Sequence, residues 1–164
     1  MESALAEDVG SGDITTDSCI QAELQAEARF VAREAMTVAG AELLGLLFDA
    51  PLIKLASGAR AVAGQEIACA RGAARLLLSR ERVALNFFQR LSGVATVAAR
   101  FVAAVEGTGV RIQDTRKTTP GLRVLEKMAA GWPMSRDPDC KYPGCNGTGT
   151  IWNGKKVIKC PRCG

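Results

Sequence analysis

Nine consecutive residues, Thr115-Arg116-Lys117-Thr118-Thr119-Pro120-Gly121-Leu122-Arg123, place three cations and three hydroxyls in one short stretch. Arginine offers a planar fork that matches carboxylate or phosphate, and lysine offers a compact point charge. Adjacent residues on a strand point to opposite faces. Arg116 and Lys117 can therefore serve one ligand only where the chain has already left a strand, and the chemistry of such a loop is anion binding. On residue types alone the same run fits a solvated basic turn equally well, because short Arg-Lys turns are common.

A second set of reactive residues lies near the C-terminal end. Cys140-x4-Cys145 and Cys160-x2-Cys163 are two cysteine pairs separated by fourteen residues. That is the spacing of a four-thiolate zinc site, in which each pair grips one ion from a tight turn. Such a site would be structural, since four protein ligands leave no open position for water. Between the pairs, Thr150-Ile151-Trp152 and Lys156-Val157-Ile158 flank Asn153-Gly154, a strong hairpin signal. The order of pair, hairpin, pair predicts a zinc-ribbon-like tail over 131–164. The remaining thiols, Cys19 and Cys69, stand alone and are expected to be buried.

The elements that must position these residues can be read from periodicity. Val110 to Asp114 alternates and predicts a strand leading into the basic run. Thr119 then occupies an N-cap position with Pro120 as the first helical residue, and Leu122 to Ala129 continues the helix. Upstream, Ala4 to Val9 reads as a short helix and Gly10-Ser11-Gly12-Asp13 as a turn. Gln25 to Arg33, Met36 to Ala39, Leu52 to Ala56 and Gln65 to Ala70 read as strands, and Ala41 to Phe48 as a helix. The fold class is α+β: a four-stranded antiparallel sheet with helices on one side. Residues 73–106 form the longest helical stretch, with Leu77, Ala84, Leu91, Ala98 and Val105 recurring every seven residues. Phe87, Phe88, Val94 and Phe101 widen that stripe, which is expected to be core. Gly93 in its middle predicts either a break at Ser92-Gly93 or a closely packed neighbour.

Composition sets the remaining bounds. The chain has 164 residues, 48% of them hydrophobic and 5% aromatic, so alanine, leucine and valine must fill the core. No run of about 18 apolar residues exists to cross a membrane, and the first residues do not resemble a secretory signal. A cytoplasmic protein is expected. Residues 1–130 carry 15 basic and 15 acidic side chains, so the whole excess of +4 falls in 131–164. Zinc-bound thiolates would cancel part of it, leaving thin support for a nucleic-acid partner of the tail.

Three segments, taken in order, resemble quinolinate phosphoribosyltransferase. They are Ala6-Glu7-Asp8-Val9-Gly10-Ser11-Gly12-Asp13-Ile14-Thr15-Thr16, the stretch from Arg80-Glu81-Arg82-Val83 to Leu91-Ser92-Gly93, and the Thr115–Arg123 run. The resemblance covers about residues 4–128. It implies an N-terminal α/β sandwich domain over 1–109, then the first strand and helix of an open α/β barrel over 110–130. It implies an enzyme that converts quinolinate and phosphoribosyl pyrophosphate, usually with Mg2+, to nicotinate mononucleotide, carbon dioxide and pyrophosphate, on the route to NAD. It also implies roles. Arg116 and Lys117, with Thr118 beside them, match the family's anion-binding residues. Arg82 matches an arginine that reaches a neighbouring subunit's site, so a homodimer is expected.

The resemblance stops near Met128. In the family a barrel would continue with a His-Arg pair, a further lysine, acidic residues and glycine-rich phosphate loops. This chain has no histidine, and its sequence turns instead to Gly131-Trp132-Pro133 and the cysteine tail. Turnover by the chain alone is not expected. Cys145-x-Gly147-x-Gly149 also resembles half of the zinc repeat of DnaJ-type chaperones. Two other functions remain open: a zinc-tailed dimeric module binding nucleic acid or protein, and a dominant-negative partner lending Arg82 to a full-length subunit.

Overall fold

The computed structural model describes residues 1–131 together with Thr150–Trp152 and Val157–Lys159. Two compact units divide the chain, Met1–Arg90 and Leu91–Gly164.

The first unit opens with α1 (Glu2–Val9) and α2 (Ile14–Cys19). The short α2 escaped the periodicity reading; Asp13 starts it as N-cap, accepting from the Thr16 backbone N–H at 3.1 Å. Strands β1 (Gln25–Val31), β3 (Leu52–Ile53) and β5 (Glu66–Ala73) form one antiparallel sheet in the order β1-β5-β3. Gln25 lies opposite Ala73 and Phe30 opposite Ala68, and the register shifts between Phe30 and Val31. A second, two-stranded sheet pairs β2 (Met36–Thr37) with β4 (Arg60–Ala61).

The expected single four-stranded sheet is thus divided. The irregularity falls between Phe30 and Val31, one pair before the β1 ladder ends at Val31 opposite Glu66, and such a bulge bends and twists a strand away from its partner. The chain turns through Arg33-Glu34-Ala35 and pairs next with Arg60-Ala61, a two-residue strand too short to carry a periodic signal.

Ala41–Leu46, expected as part of a helix to Phe48, is a 3-10 helix entered through Gly40 at φ 86°. The hydroxyl of the buried Ser57 receives the N–H groups of Gly40 (2.9 Å) and Ala41 (3.3 Å) and donates to Glu42 at 2.5 Å. That network satisfies the free N–H groups at the buried start of the element. Leu44 and Leu47 are buried, while Leu46 faces solvent.

Residues Ala74–Ala104 form one continuous helix, α3, as the sevenfold recurrence predicted. Its first backbone N–H bonds the carbonyl of Leu24 at 2.8 Å, and Arg75 fastens it to the carbonyls of Ile20 (2.8 Å) and Asp17 (3.0 Å). In the first unit Leu77, Val83 and Ala84 of α3 close a core with Phe30, Leu44, Leu47, Phe48, Ala68 and Ala70. Phe30 stands 6.0 Å from Phe48 and 6.2 Å from Phe88 in tilted contacts, a favourable aromatic geometry. The run Ile67-Ala68-Cys69-Ala70 is buried throughout, as expected for a central strand covered on both faces.

Two expectations about α3 fail. Phe101 is exposed rather than core. Gly93 neither breaks the helix nor meets a close neighbour, since a Cβ there would find nothing within 4 Å. Cys19 is exposed, against expectation, and Cys69 is buried, in line with it.

In the second unit the expected strand at Val110 to Asp114 is absent. Residues 110–119 form neither helix nor strand, and among the described residues no segment supplies a ladder partner. A strand exists only through such pairing. The helix that follows, α4, runs Arg123–Gly131 and begins later than expected. Gly121 at φ 79° is left-handed, which a right-handed helix starting at Pro120 could not contain. Finally, β6 (Thr150–Trp152) and β7 (Val157–Lys159) pair antiparallel, with Ile151 opposite Ile158. No helix of the described residues is long and apolar enough to cross a membrane.

Candidate functional site

The basic run is a tight, exposed turn. Thr115 Oγ1 accepts the Lys117 backbone N–H at 3.1 Å, and the Arg116 carbonyl accepts the Thr118 N–H at 3.0 Å. These local bonds replace the strand that alternation suggested, as threonine and neighbouring backbone groups readily do. Arg116 and Lys117 are both exposed, and among the described residues neither is paired with a carboxylate. Thr118 is half-buried, its Oγ1 accepting from Arg123 Nε at 3.3 Å.

Thr119 does not cap a helix at Pro120. Its carbonyl accepts the Leu122 N–H at 3.0 Å in a single turn, and the regular helix follows from Arg123. Its N–H and hydroxyl both donate to the carboxylate of Glu126, at 3.0 and 2.8 Å. Glu126 is only 7% exposed. On the other side of the run, Lys127 Nζ meets Asp114 Oδ2 at 2.5 Å. Neither Glu126 nor Lys127 was singled out by sequence reasoning. Glu126 lies seven residues beyond Thr119, outside the three-residue spacing of a capping box, so no local rule flags the pair.

Arg82 belongs to the first unit, on α3. Its guanidinium Nε donates to Asp8 at 3.1 and 3.2 Å, and Nη2 lies 3.9 Å from Asp13. Both partners come from the N-terminal segment rather than from its own helix. The Asp8 hydrogen bond, and then its charge, raise the Arg82 pKa above its ordinary value. Asp13 is held below the usual carboxylate range. The Thr16 hydroxyl contributes most, at 2.7 Å, then the Thr16 N–H; desolvation opposes and the Arg82 charge adds. The exposed side chain of Arg82 retains donors on its outer edge.

Arg116, Lys117 and Thr118 therefore lie together on one turn, and Arg82 stands in the other compact unit. Cys140, Cys145, Cys160 and Cys163 lie outside the described residues. Among the described residues no group of three or more His, Cys, Asp or Glu side chains comes together to hold a metal ion.

A small α+β domain is followed by a turn whose two adjacent cations, Arg116 and Lys117, meet no carboxylate among the described residues. Comparison with known proteins gives it a family. Residues 13–92 match the model of the quinolinate phosphoribosyl transferase N-terminal domain, and residues 94–132 that of the C-terminal domain of the same enzyme. Over residues 13–132 the chain belongs to the quinolinate phosphoribosyltransferase family.

It is 41% identical over 135 residues to the nicotinate-nucleotide pyrophosphorylase (carboxylating) of Mycobacterium leprae (strain TN), covering 77% of this chain and 48% of that protein. The probable enzyme of the same name from Bacillus subtilis (strain 168) is 42% identical over 129 residues, with 75% and 44% covered. The crystal structure of NadC from Streptococcus pyogenes superposes with a TM-score of 0.75 at 38% identity, over 81% of this chain and 50% of that one. The chain thus spans half the length of these relatives or less.

Proposed function

We propose that residues 13–132 supply the N-terminal domain and the first substrate-binding turn of a quinolinate phosphoribosyltransferase acting in NAD biosynthesis. The reaction joins quinolinate to phosphoribosyl pyrophosphate and releases carbon dioxide and pyrophosphate. The observation that carries the reading is the pair Arg116 and Lys117, exposed and without an acidic partner among the described residues, in a chain that matches the family on both sides of position 93. Unneutralised adjacent cations on an ordered turn are what a substrate with two carboxylates, or a sugar diphosphate, requires. Thr118 adds a hydroxyl beside them. Arg82 enters as the cation offered to a second copy of the chain in a homodimer, held in aim by Asp8 and Asp13.

The magnesium used by the family is assigned to no residue; among the described residues no group of three or more His, Cys, Asp or Glu side chains comes together. With no histidine in the chain, binding without turnover is the expected behaviour of this chain alone. Titration of the purified chain with quinolinate tests the reading. Saturable binding, lost in Arg116→Ala or Lys117→Ala, supports it; equal binding by wild type and both variants sinks it.

We further infer that the tail binds one structural zinc through Cys140, Cys145, Cys160 and Cys163. Support comes from the β6–β7 hairpin, whose paired strands lie between the two cysteine pairs in the order a ribbon requires. One zinc per chain by metal analysis, reduced in Cys145→Ser, is expected. A metal-free wild-type protein purified without chelator would refute it.

A further inference from the structure

The basic turn is fastened at both ends to one face of the helix that follows it. Residues 110–119 have no regular structure, so nothing in a sheet or helix ladder fixes where Arg116 and Lys117 point. Three side chains of α4 do reach back to the residues that flank them. Arg123 bonds Thr118 Oγ1 at 3.3 Å, Glu126 takes both the N–H and the hydroxyl of Thr119, and Lys127 grips Asp114. Positions i, i+3 and i+4 of a helix share a face, so Arg123, Glu126 and Lys127 act on the turn from one side. Asp114 immediately precedes Thr115, and Thr119 immediately follows Thr118. The four residues between, Thr115 to Thr118, are a closed loop with both ends fixed to a single helical turn. Glu126 is buried, and each of its oxygens is engaged by Thr119.

We propose that Glu126 and Lys127, assisted by Arg123, are positioning residues that hold the Arg116-Lys117 turn ready for an anionic substrate. The inference rests on the reading of that turn as a substrate site. Fixing a loop before the ligand arrives removes ordering entropy from the binding step. Two cations held close together repel each other, and fastening both ends keeps them from separating. A carboxylate and an ammonium on neighbouring helix residues achieve this without neutralising either cation, because Glu126 bonds Thr119 and Lys127 bonds Asp114 rather than Arg116 or Lys117.

The test uses the full 164-residue chain and quinolinate as probe. Lys127→Ala and Glu126→Gln are expected to weaken binding about tenfold or more, the scale at which lost pre-organisation shows. The Tm is expected to move far less than the affinity. The exchanged pair Asp114→Lys with Lys127→Asp is expected to restore binding, which a purely local packing role would not. NMR relaxation of the Arg116 and Lys117 amides should report a more mobile turn in Lys127→Ala. Unchanged affinity in Lys127→Ala and Glu126→Gln, with binding abolished by Arg116→Ala, overturns the positioning role and leaves the site standing. Indifference of binding to Arg116→Ala and Lys117→Ala, or no binding by the wild type, removes the site itself and this inference with it. Should Glu126→Gln fail to fold, Lys127→Ala and the charge exchange carry the same decision.

Discussion

At the residue scale, the polar contacts that matter most join positions far apart in sequence. Asp8 and Asp13 converge on Arg82 from the N-terminal segment, and Asp13 also starts α2 by accepting twice from Thr16. The low pKa of Asp13 gives a directional prediction. A carboxyl whose folded pKa lies below its unfolded value stabilises the fold above the unfolded pKa of about 4, and that contribution vanishes as pH falls through the folded value. Asp13→Ala is therefore expected to lower Tm at pH 7, with the gap to wild type closing as pH drops below about 4. Thermal melts of both proteins between pH 7 and pH 2 decide the matter, and a gap that stays constant with pH would refute it. Arg116 and Lys117 were visible as residues of interest because charge and spacing are local properties, whereas Arg82 stood out only through the resemblance of the Arg80–Gly93 stretch to the family. Their supports were not visible, since Asp8, Asp13, Asp114 and Glu126 are ordinary acidic residues until folding brings their partners to them.

At the element scale, length decided what could be read. The 31 residues of α3 repeat the apolar stripe often enough for its existence and continuity to be plain. Strands β2, β3 and β4 have two residues each, too few for any period, so the division into two sheets was not legible. The segment 110–114 alternates like a strand but lacks a ladder partner among the described residues, which shows that alternation is necessary rather than sufficient. Gly93 sits in helical backbone with nothing within 4 Å of a built Cβ, so Gly93→Ala should stabilise the chain by about 0.5–1 kcal/mol. A fall in stability would instead point to a partner surface packed against that position. In the 3-10 helix, Leu44 is 1% exposed and Leu46 is 51% exposed. Leu44→Ala should cost about 2–5 kcal/mol, and Leu46→Ala within about 0.5 kcal/mol. Chemical denaturation of the two variants separates these outcomes, and equal losses would contradict the assigned inward face.

At the scale of the whole molecule, the proposed zinc site would link charge to metal. All of the +4 excess lies in residues 131–164, which hold 6 basic and 2 acidic side chains. At pH 7 four free thiols add almost nothing to that, while four thiolates around one zinc ion add about −2. Metal loading should therefore bring the tail from about +4 to about +2 while releasing about four protons, because thiolates and not thiols are the ligands. A module of this size has little apolar core, so zinc would supply most of its folding free energy. The β6–β7 pairing, Thr150 opposite Lys159 to Trp152 opposite Val157, is then the structure most exposed to metal loss. Addition of a strong chelator is expected to erase hydrogen-exchange protection at Ile151 and Ile158 while leaving Ala68 and Leu77 in the first unit protected. Zinc titration of the stripped protein in weak buffer should acidify it by about four protons per chain. Protection at Ile151 and Ile158 that survives complete metal removal would mean that the hairpin stands on its own side chains, and the zinc reading of the four cysteines would fall with it.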